Sequence, residues 1–445
     1  MRLACLAISL LTAACIPARA EDAPDLTVEY VSGFAGYVEP CRCNSGVLGG
    51  LPRRFTYLKQ LRAERPNTLC LFGGDVYTGP GLEAQLKGET SLSFLRMAHY
   101  DAVLPGDADL RYGAKALRSA AASGLPLLCA NPPAKAGLGA VAATATYQFG
   151  VPGRPRPVRV GVTAVLGNGL VPSDAALGLE PTDATLAAKR AVAQIRRQAD
   201  YVILLAHMDL PDALRLADAV PAADLVIAAH VGSLVTQEPI VRGNALVVAN
   251  GDRGRYGTHL DIWFGPGMRL VRFRNVAVPL DSSLRDDPEA AAIVLAMKRK
   301  LAAAVEAMSP MATDPSPFAG AAECAGCHEP QAKQWSRTPH ASAFALLQRG
   351  QEGLDASQPE CLLCHTVGFG AQGGYVNKAR TPQLRGVQCE SCHGPGRAHV
   401  QAARAGRPHT GDIARAVPRT ACVKCHTAEK SPGFNYERSL ASVRH

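Results

Sequence analysis

Cys389-Glu-Ser-Cys392-His393-Gly-Pro-Gly-Arg-Ala-His399 carries two thiols, the imidazole that follows the second thiol, and one further histidine. Cys-x-x-Cys-His is the pattern by which a c-type haem is attached. Each thiol forms a thioether with a vinyl group, and the next histidine becomes the proximal iron ligand. The pattern also stands at Cys324-Ala-Gly-Cys327-His328, Cys361-Leu-Leu-Cys364-His365 and Cys422-Val-Lys-Cys425-His426. Paired Cys-x-x-Cys motifs also build zinc ribbons, but zinc does not require a histidine after every second cysteine. Here one follows in all four cases. Four covalent c-type haems are therefore expected, on motifs 1 to 4 in chain order, with His328, His365, His393 and His426 as proximal ligands.

The motifs begin 37, 28 and 33 residues apart. So short a stretch cannot wrap each porphyrin in its own protein core. A haem-packed, mainly helical or irregular domain is expected over residues 318–445, with centres close enough for rapid electron exchange. His340, His399, His409 and His445 are the candidate distal iron ligands. An iron that none of them reaches stays open to a small ligand. The formal charge of +9 suggests nucleic acid, but from Ala321 onward 15 basic residues face 9 acidic ones. Four haems add about eight propionates, ionised above pH ~4. The basic residues are read as propionate partners, and no nucleic-acid partner is expected.

This stretch resembles the tetrahaem cytochrome c family of nitrifying bacteria and its multihaem relatives. The resemblance is carried by Trp335-Ser-Arg-Thr-Pro-His340-Ala-Ser-Ala-Phe344, by Cys389 through His399, and by Cys422 through Ser431-Pro-Gly-Phe434 to His445. It implies distal roles for His340, His399 and His445, and electron transfer with redox partners such as other cytochromes or quinol-linked complexes.

Upstream, 47% apolar and 19% charged residues describe a globular chain. Arg2, the apolar run Leu3–Ile16 and Ala18-Arg-Ala20 have the order of a secretory leader cleaved after Ala20. A periplasmic or otherwise exported protein is expected, with residues 1–20 as signal peptide. Leu11-Thr-Ala-Ala-Cys15 also resembles a lipoprotein signal, and a lipidated Cys15 is then the one route to membrane attachment.

Leu26–Val31, Leu69–Phe72, Leu125–Leu128, Val158–Val162, Tyr201–Leu205, Asp224–Ala228 and Leu246–Ala249 read as short buried strands. Helical stretches near 183–199 and 209–219 alternate with them, which predicts an α/β sandwich over residues 21–285 with functional groups beyond the strand ends. Gly74-Asp75, Ala98 through Pro105-Gly-Asp107-Ala-Asp109 to Gly113, Leu125 to Asn131, Ala206-His207 and Ala229-His230 resemble the calcineurin-like metallophosphatase domain of periplasmic 5′-nucleotidases. That resemblance implies two metals that generate hydroxide and clamp phosphate. The chain departs from it, however. Gly33 and Ala35 stand where the first Asp and His belong, and Asp107 replaces an Asn. Ala108 replaces the His beside it, and Gly232 replaces the last His. Asp75, Asp107, His207 and His230 remain as a set for one non-haem divalent metal, and phosphatase activity is not expected.

Tyr37-Val-Glu-Pro-Cys41-Arg-Cys43 follows the first strand, with Arg53-Arg54 shortly after. Cys41 and Cys43 are candidate catalytic thiols: low-pKa thiolates, a metal chelate, a strained disulfide, or partners of Cys70 or Cys129. Cys70 and Cys129, inside apolar strands, read as buried. Asp286-Asp-Pro288 opens a helix whose Val294, Met297, Leu301, Val305 and Met308 form a packing stripe. A Pro-rich linker completes a connector over residues 286–317. Three functions are set against one another. The first is an exported multihaem cytochrome whose electron transfer is coupled to a redox site in the degenerate domain, which makes it a haem-dependent oxidoreductase. The second is an electron carrier with a non-catalytic docking domain, and the third a metal-dependent phosphoesterase fused to a cytochrome.

Overall fold

The computed structural model describes residues 23–43, 46–133, 137–138, 141–170, 181–251, 253–308, 316–349, 351–407, 413–428 and 430–445, with backbone alone at 41–43, 46 and 351–352. The expected signal peptide over residues 1–20, Cys15 within it, and His409 lie outside the described residues, as do 309–315 of the expected linker. No helix among the described residues is long and apolar enough to cross a membrane.

Thirteen strands are described: β1 Leu26–Val31, β2 Cys41–Cys43, β3 Gly46–Leu48, β4 Thr68–Phe72, β5 Ala102–Val103, β6 Thr144–Phe149, β7 Val158–Leu166, β8 Tyr201–His207, β9 Leu225–Ala228, β10 Ile240–Arg242, β11 Ala245–Ala249, β12 Tyr256–Phe264 and β13 Leu270–Pro279. They form a sheet ordered β13-β12-β1-β4-β5, a second ordered β10-β11-β9-β8-β7-β6, and the hairpin β2-β3. Helices α1 Leu51–Glu64, α2 Leu82–Met97, α3 Asp107–Tyr112, α4 Ala114–Ala122, α5 Ala184–Ile195, α6 Leu210–Ala219 and α7 Pro288–Ala307 accompany them. The expected strand over Leu125–Leu128 forms only isolated bridges, Val103 to Leu127 and Leu128 to Ala142. Pro126 has no N–H to give to a ladder there.

The period-two alternation of side chains along a strand explains the layering. Leu26, Val28 and Tyr30 of β1 share one core with Val160 and Val162 of β7, Ile203 and Leu205 of β8, and Leu260 and Ile262 of β12. The opposite face of the second sheet (Val202, Leu204, Val226, Val247) packs on Val192 and Leu216 of α5 and α6. On the opposite face of the first sheet, Glu29 stands level with His259 of β12 and Cys70 of β4. Arg54 on α1 covers that row and places Nη1 2.8 Å from Glu29 Oε1. Asp183, Asp209 and Asp287 each accept a backbone N–H two or three residues ahead and so start α5, α6 and α7.

Helix α7 belongs to two cores. Ala290, Val294 and Met297 pack in the sandwich. Val305 packs with Phe318, Phe344, Leu347, Leu362, Val367, Tyr375 and Leu384 of the C-terminal region. That region is built of helices of five to eight residues and turns.

The Glu29–Arg54 pair is fully enclosed, so removing one partner strands the other. Burial raises Glu29 to about 7, against the pull of Arg54. Arg54→Met should cost about 3–5 kcal/mol in chemical denaturation at neutral pH. An acid whose folded pKa is raised loses stability as pH climbs above its unfolded value, near 4.3. The penalty should therefore shrink as pH falls to about 4.5, and Glu29→Gln/Arg54→Met should recover much of it.

Candidate functional site

The parallel strands β1, β4, β5, β8 and β9 end on one side of the sandwich, and their carboxyl ends carry the candidate non-haem site. Asp75 follows β4, Asp107 opens α3 after β5, His207 ends β8 and His230 follows β9. One ligand atom from each of the four lies within 4.8 Å of the others. His207 Nε2 is 3.2 Å from Asp107 Oδ1 and 3.4 Å from Asp75 Oδ2. His230 Nδ1 is 3.8 and 3.6 Å from the same two atoms. Metal–ligand bonds of about 2.0–2.1 Å in a tetrahedron put neighbouring ligand atoms about 3.3 Å apart. The two imidazoles and two carboxylates therefore fit one divalent cation.

Two features hold that arrangement. His207 Nδ1–H donates to the Gly73 carbonyl at 2.8 Å, which leaves the Nε2 lone pair for a metal. Asp109, buried behind the site, accepts the N–H groups of Asp75, Val76, Tyr77 and Gly106 at 2.8 to 3.1 Å. It fixes Asp75 in a left-handed conformation at φ 58°. A Cβ on Gly106 would lie 2.1 Å from Asp75 Oδ1, so only glycine lets the two loops meet. Burial, then the Asp75 carboxylate, push Asp109 up to about 7. Burial also works against ionised Asp75, but His207 and His230 outweigh it and hold Asp75 well below the usual carboxylate range. His207 feels the converse: burial opposes its charge, yet Asp75 and Asp107 raise it to about 10.

The positions expected to supply the other metal are closed. Phe34 and Ala35 donate their N–H groups to the Asp75 carbonyl at 3.1 and 2.7 Å. A Cβ on Gly33 would lie 2.5 Å from the Gly74 carbonyl oxygen. Cys41 and Cys43 begin and end β2, paired in register with Leu48 and Gly46, and their side chains lie outside the described residues. Cys70 and Cys129 are buried free thiols, so the alternative in which they form disulfides with the Cys41–Cys43 pair is corrected. Both sit in the hydrophobic core, and burial raises each thiol.

In the C-terminal region, three of the four motif histidines face a second imidazole. Ring centroids are 6.2 Å apart for His328 and His399, 6.0 Å for His340 and His426, and 5.7 Å for His393 and His445. An iron between two ring nitrogens, with bonds of about 2 Å and about 1.1 Å from nitrogen to centroid, requires about 6.2 Å. The described residues show no such partner for His365. Nδ1–H groups are engaged at His365 by the Ala343 carbonyl (2.8 Å) and at His393 by the Ala414 carbonyl (2.6 Å), which turns Nε2 toward a metal. Burial, with His426 beside it, holds His340 below the ordinary imidazole range, in the neutral form that ligates. The Cys324 thiol of motif 1 contacts Cys389 of motif 3, and Cys364 of motif 2 contacts Cys425 of motif 4. Cys392 of motif 3 interacts with Cys422 of motif 4. The attachment sites thus run in the order 1–3–4–2.

Sequence reading missed Asp109 and Glu390. Glu390, inside motif 3, accepts the N–H groups of Ala319, Gly320 and Gly396 at 2.7 to 2.8 Å. Each acid stands beside a ligand-bearing residue and is buried, but only tertiary structure shows which backbone it gathers.

Because His207 holds a proton near neutral pH, divalent metal must displace it. Calorimetric titration with manganese or zinc at pH 7 in buffers of differing ionisation enthalpy should show about one proton released per metal bound. Affinity should rise with pH. Asp109→Asn, which sets an amide NH2 donor where a carboxylate oxygen accepts backbone N–H groups, should weaken metal binding about 10–100-fold.

Residues 323–394 match the family model described as cytochrome c554 and c-prime. Over 94 residues the chain is 40% identical to cytochrome c-554 of Nitrosomonas europaea, a stretch covering 18% of this chain and 40% of that protein. Over 310 residues it is 24% identical to the snake venom 5′-nucleotidase of Naja atra, covering 62% of this chain and 57% of that one. Among solved structures it is similar to the sulfate thiohydrolase SoxB of Thermus thermophilus, with a TM-score of 0.55, 17% identity and coverage of 65% and 62%. It is also similar to a 5′-nucleotidase precursor from the same organism, with a TM-score of 0.54, 20% identity and coverage of 62% and 59%. The chain therefore spans less than two thirds of each of these proteins. It joins an α/β domain of the 5′-nucleotidase-type metallophosphatase fold to a C-terminal region similar to cytochrome c554.

Proposed function

We propose that the protein is an exported tetrahaem c-type cytochrome that transfers electrons between an external redox protein and a site in its phosphatase-like domain. The observation that carries this reading is the set of three imidazole pairs, with ring centroids 5.7 to 6.2 Å apart, close to the separation that an intervening iron requires. The haems supply one-electron exchange. The chain's own residues do the rest. Cys324, Cys327, Cys361, Cys364, Cys389, Cys392, Cys422 and Cys425 anchor the four groups. His328 with His399, His426 with His340, and His393 with His445 would hold three of the irons. Among the described residues His365 would hold the fourth from one side only, and on this reading that centre is open to a small ligand. The 1–3–4–2 order of the attachment sites supports stepwise passage along the region.

In the N-terminal domain, Asp75, Asp107, His207 and His230 are proposed to hold one divalent metal. A single metal can polarise or orient a bound group, but the two-metal clamp of phosphate transfer is not supported, because Gly33, Ala35 and Gly232 offer no ligand. Phosphoesterase activity is accordingly not part of this reading.

Pyridine haemochrome analysis of the exported protein should give four haems per chain. Electron paramagnetic resonance should then show three low-spin centres and one high-spin centre that binds carbon monoxide. His399→Ala should convert one low-spin centre to high spin and leave the haem count at four. Fewer than four haems, or a spectrum unchanged by His399→Ala, would overturn the ligation.

A further inference from the structure

Motif 2 is the attachment site that the N-terminal domain grips. Glu360, the residue before Cys361, accepts from Lys87 Nζ of α2 at 2.9 Å, and Lys87 also reaches Glu83 at 2.8 Å. Asp355, six residues before Cys361, accepts from Lys298 Nζ of α7 at 2.8 Å, and Lys298 also reaches Glu39 at 2.9 Å. Lys298 is 4% exposed and Lys87 15%, against 25–40% for their carboxylate partners, so salt screens these pairs less than pairs exposed on both sides. Apolar packing agrees. Leu362 of motif 2 is fully buried in the core that Val305 of α7 enters, with Cys361 against it. Gln358 Nε2 donates to the Lys298 carbonyl at 3.3 Å, and Asn377 Nδ2 to the Glu306 carbonyl at 3.1 Å. The end of the 1–3–4–2 series is thus seated on α2 and α7.

We propose that Lys87 and Lys298 make motif 2 the electrical junction between the two domains, seating it there and biasing the iron bound by His365 toward its reduced state. This rests on the haem reading above. A ferric centre carries one more positive charge than a ferrous one, so a buried cation nearby disfavours the ferric form. Four carboxylates surround the two lysines: Glu39, Glu83, Asp355 and Glu360. Each lysine offsets part of that negative charge, and its loss leaves the carboxylates to stabilise the oxidised iron. The exchange is one electron from a ferrous neighbour to the ferric centre, with no bond made or broken. The two lysines thereby keep the centre beside the phosphatase-like domain from being held ferric by the four carboxylates, so that it can accept an electron from its neighbour.

The test is a spectroelectrochemical titration of the full-length, haem-loaded protein and its variants. In Lys298→Met and in Lys87→Met, the same one of four couples should move to lower potential by about tenfold in the reduced-to-oxidised ratio, which is about 59 mV for one electron. The other three should stay in place. Lys298→Arg should leave all four unmoved, and Lys298→Met/Asp355→Asn should return the shifted couple toward its original position. Four couples moving together, which marks general loosening, or none moving, would overturn the junction. A parent protein with fewer than four couples would instead refute the haem count, which separates the two failures.

Discussion

The pairing of imidazoles across long stretches of chain is the constraint on which the C-terminal region depends. His328 and His399 are 71 residues apart, His340 and His426 are 86, and His393 and His445 are 52. Closing loops of such length costs conformational entropy, which an ordinary domain offsets by burying apolar side chains. Here the apolar cluster holds nine buried residues among those described, one of them lent by α7. On the proposed reading, coordination bonds and the bound groups take over what a core does elsewhere. The short helices then serve mainly to present thiols and imidazoles.

The N-terminal domain follows the opposite logic. Its two sheets and flanking helices would fold around their apolar faces with or without a metal, and the site sits on loops that this frame brings together. Asp109 shows how firmly they are brought. One buried carboxylate gathers four N–H groups from two loops and sets Asp75 in a conformation most residues avoid. The loop at Gly33 to Gly36 packs onto the same backbone, its N–H groups at Phe34, Ala35 and Gly36 bonded to the Asp75 and Val76 carbonyls, beside one group of four possible metal ligands.

What was legible in the sequence divides along the same line. The four Cys-x-x-Cys-His motifs are local patterns, continuous apolar runs mark β4, β8, β9 and β11, and apolar residues at alternate positions mark β1 and the start of β7. Strands β12 and β13 escaped notice, since Thr258, His259 and Asp261 interrupt the apolar pattern of β12 and β13 is an edge with Arg272 and Arg274 outward. Leu125–Leu128 misled for the reverse reason, an apolar run with a proline inside it. Asp75, Asp107, His207 and His230 were recoverable by resemblance to a known order of ligands. Asp109, Glu390, Lys87 and Lys298 were not, because a buried charge looks like a surface charge until its partners are placed.

Helix α7 gives the chain a mechanical property that neither half has alone. A helix whose first turns complete one core and whose last turns complete another, about 12 Å further along its axis, cannot be assigned to either. Two lobes joined by a loose tether would melt separately and tumble independently. Two lobes that share a helix lose part of both interiors when either one opens. Cooperative unfolding is the consequence, and with it a fixed orientation of one lobe against the other that no hinge at residues 288–307 can relax.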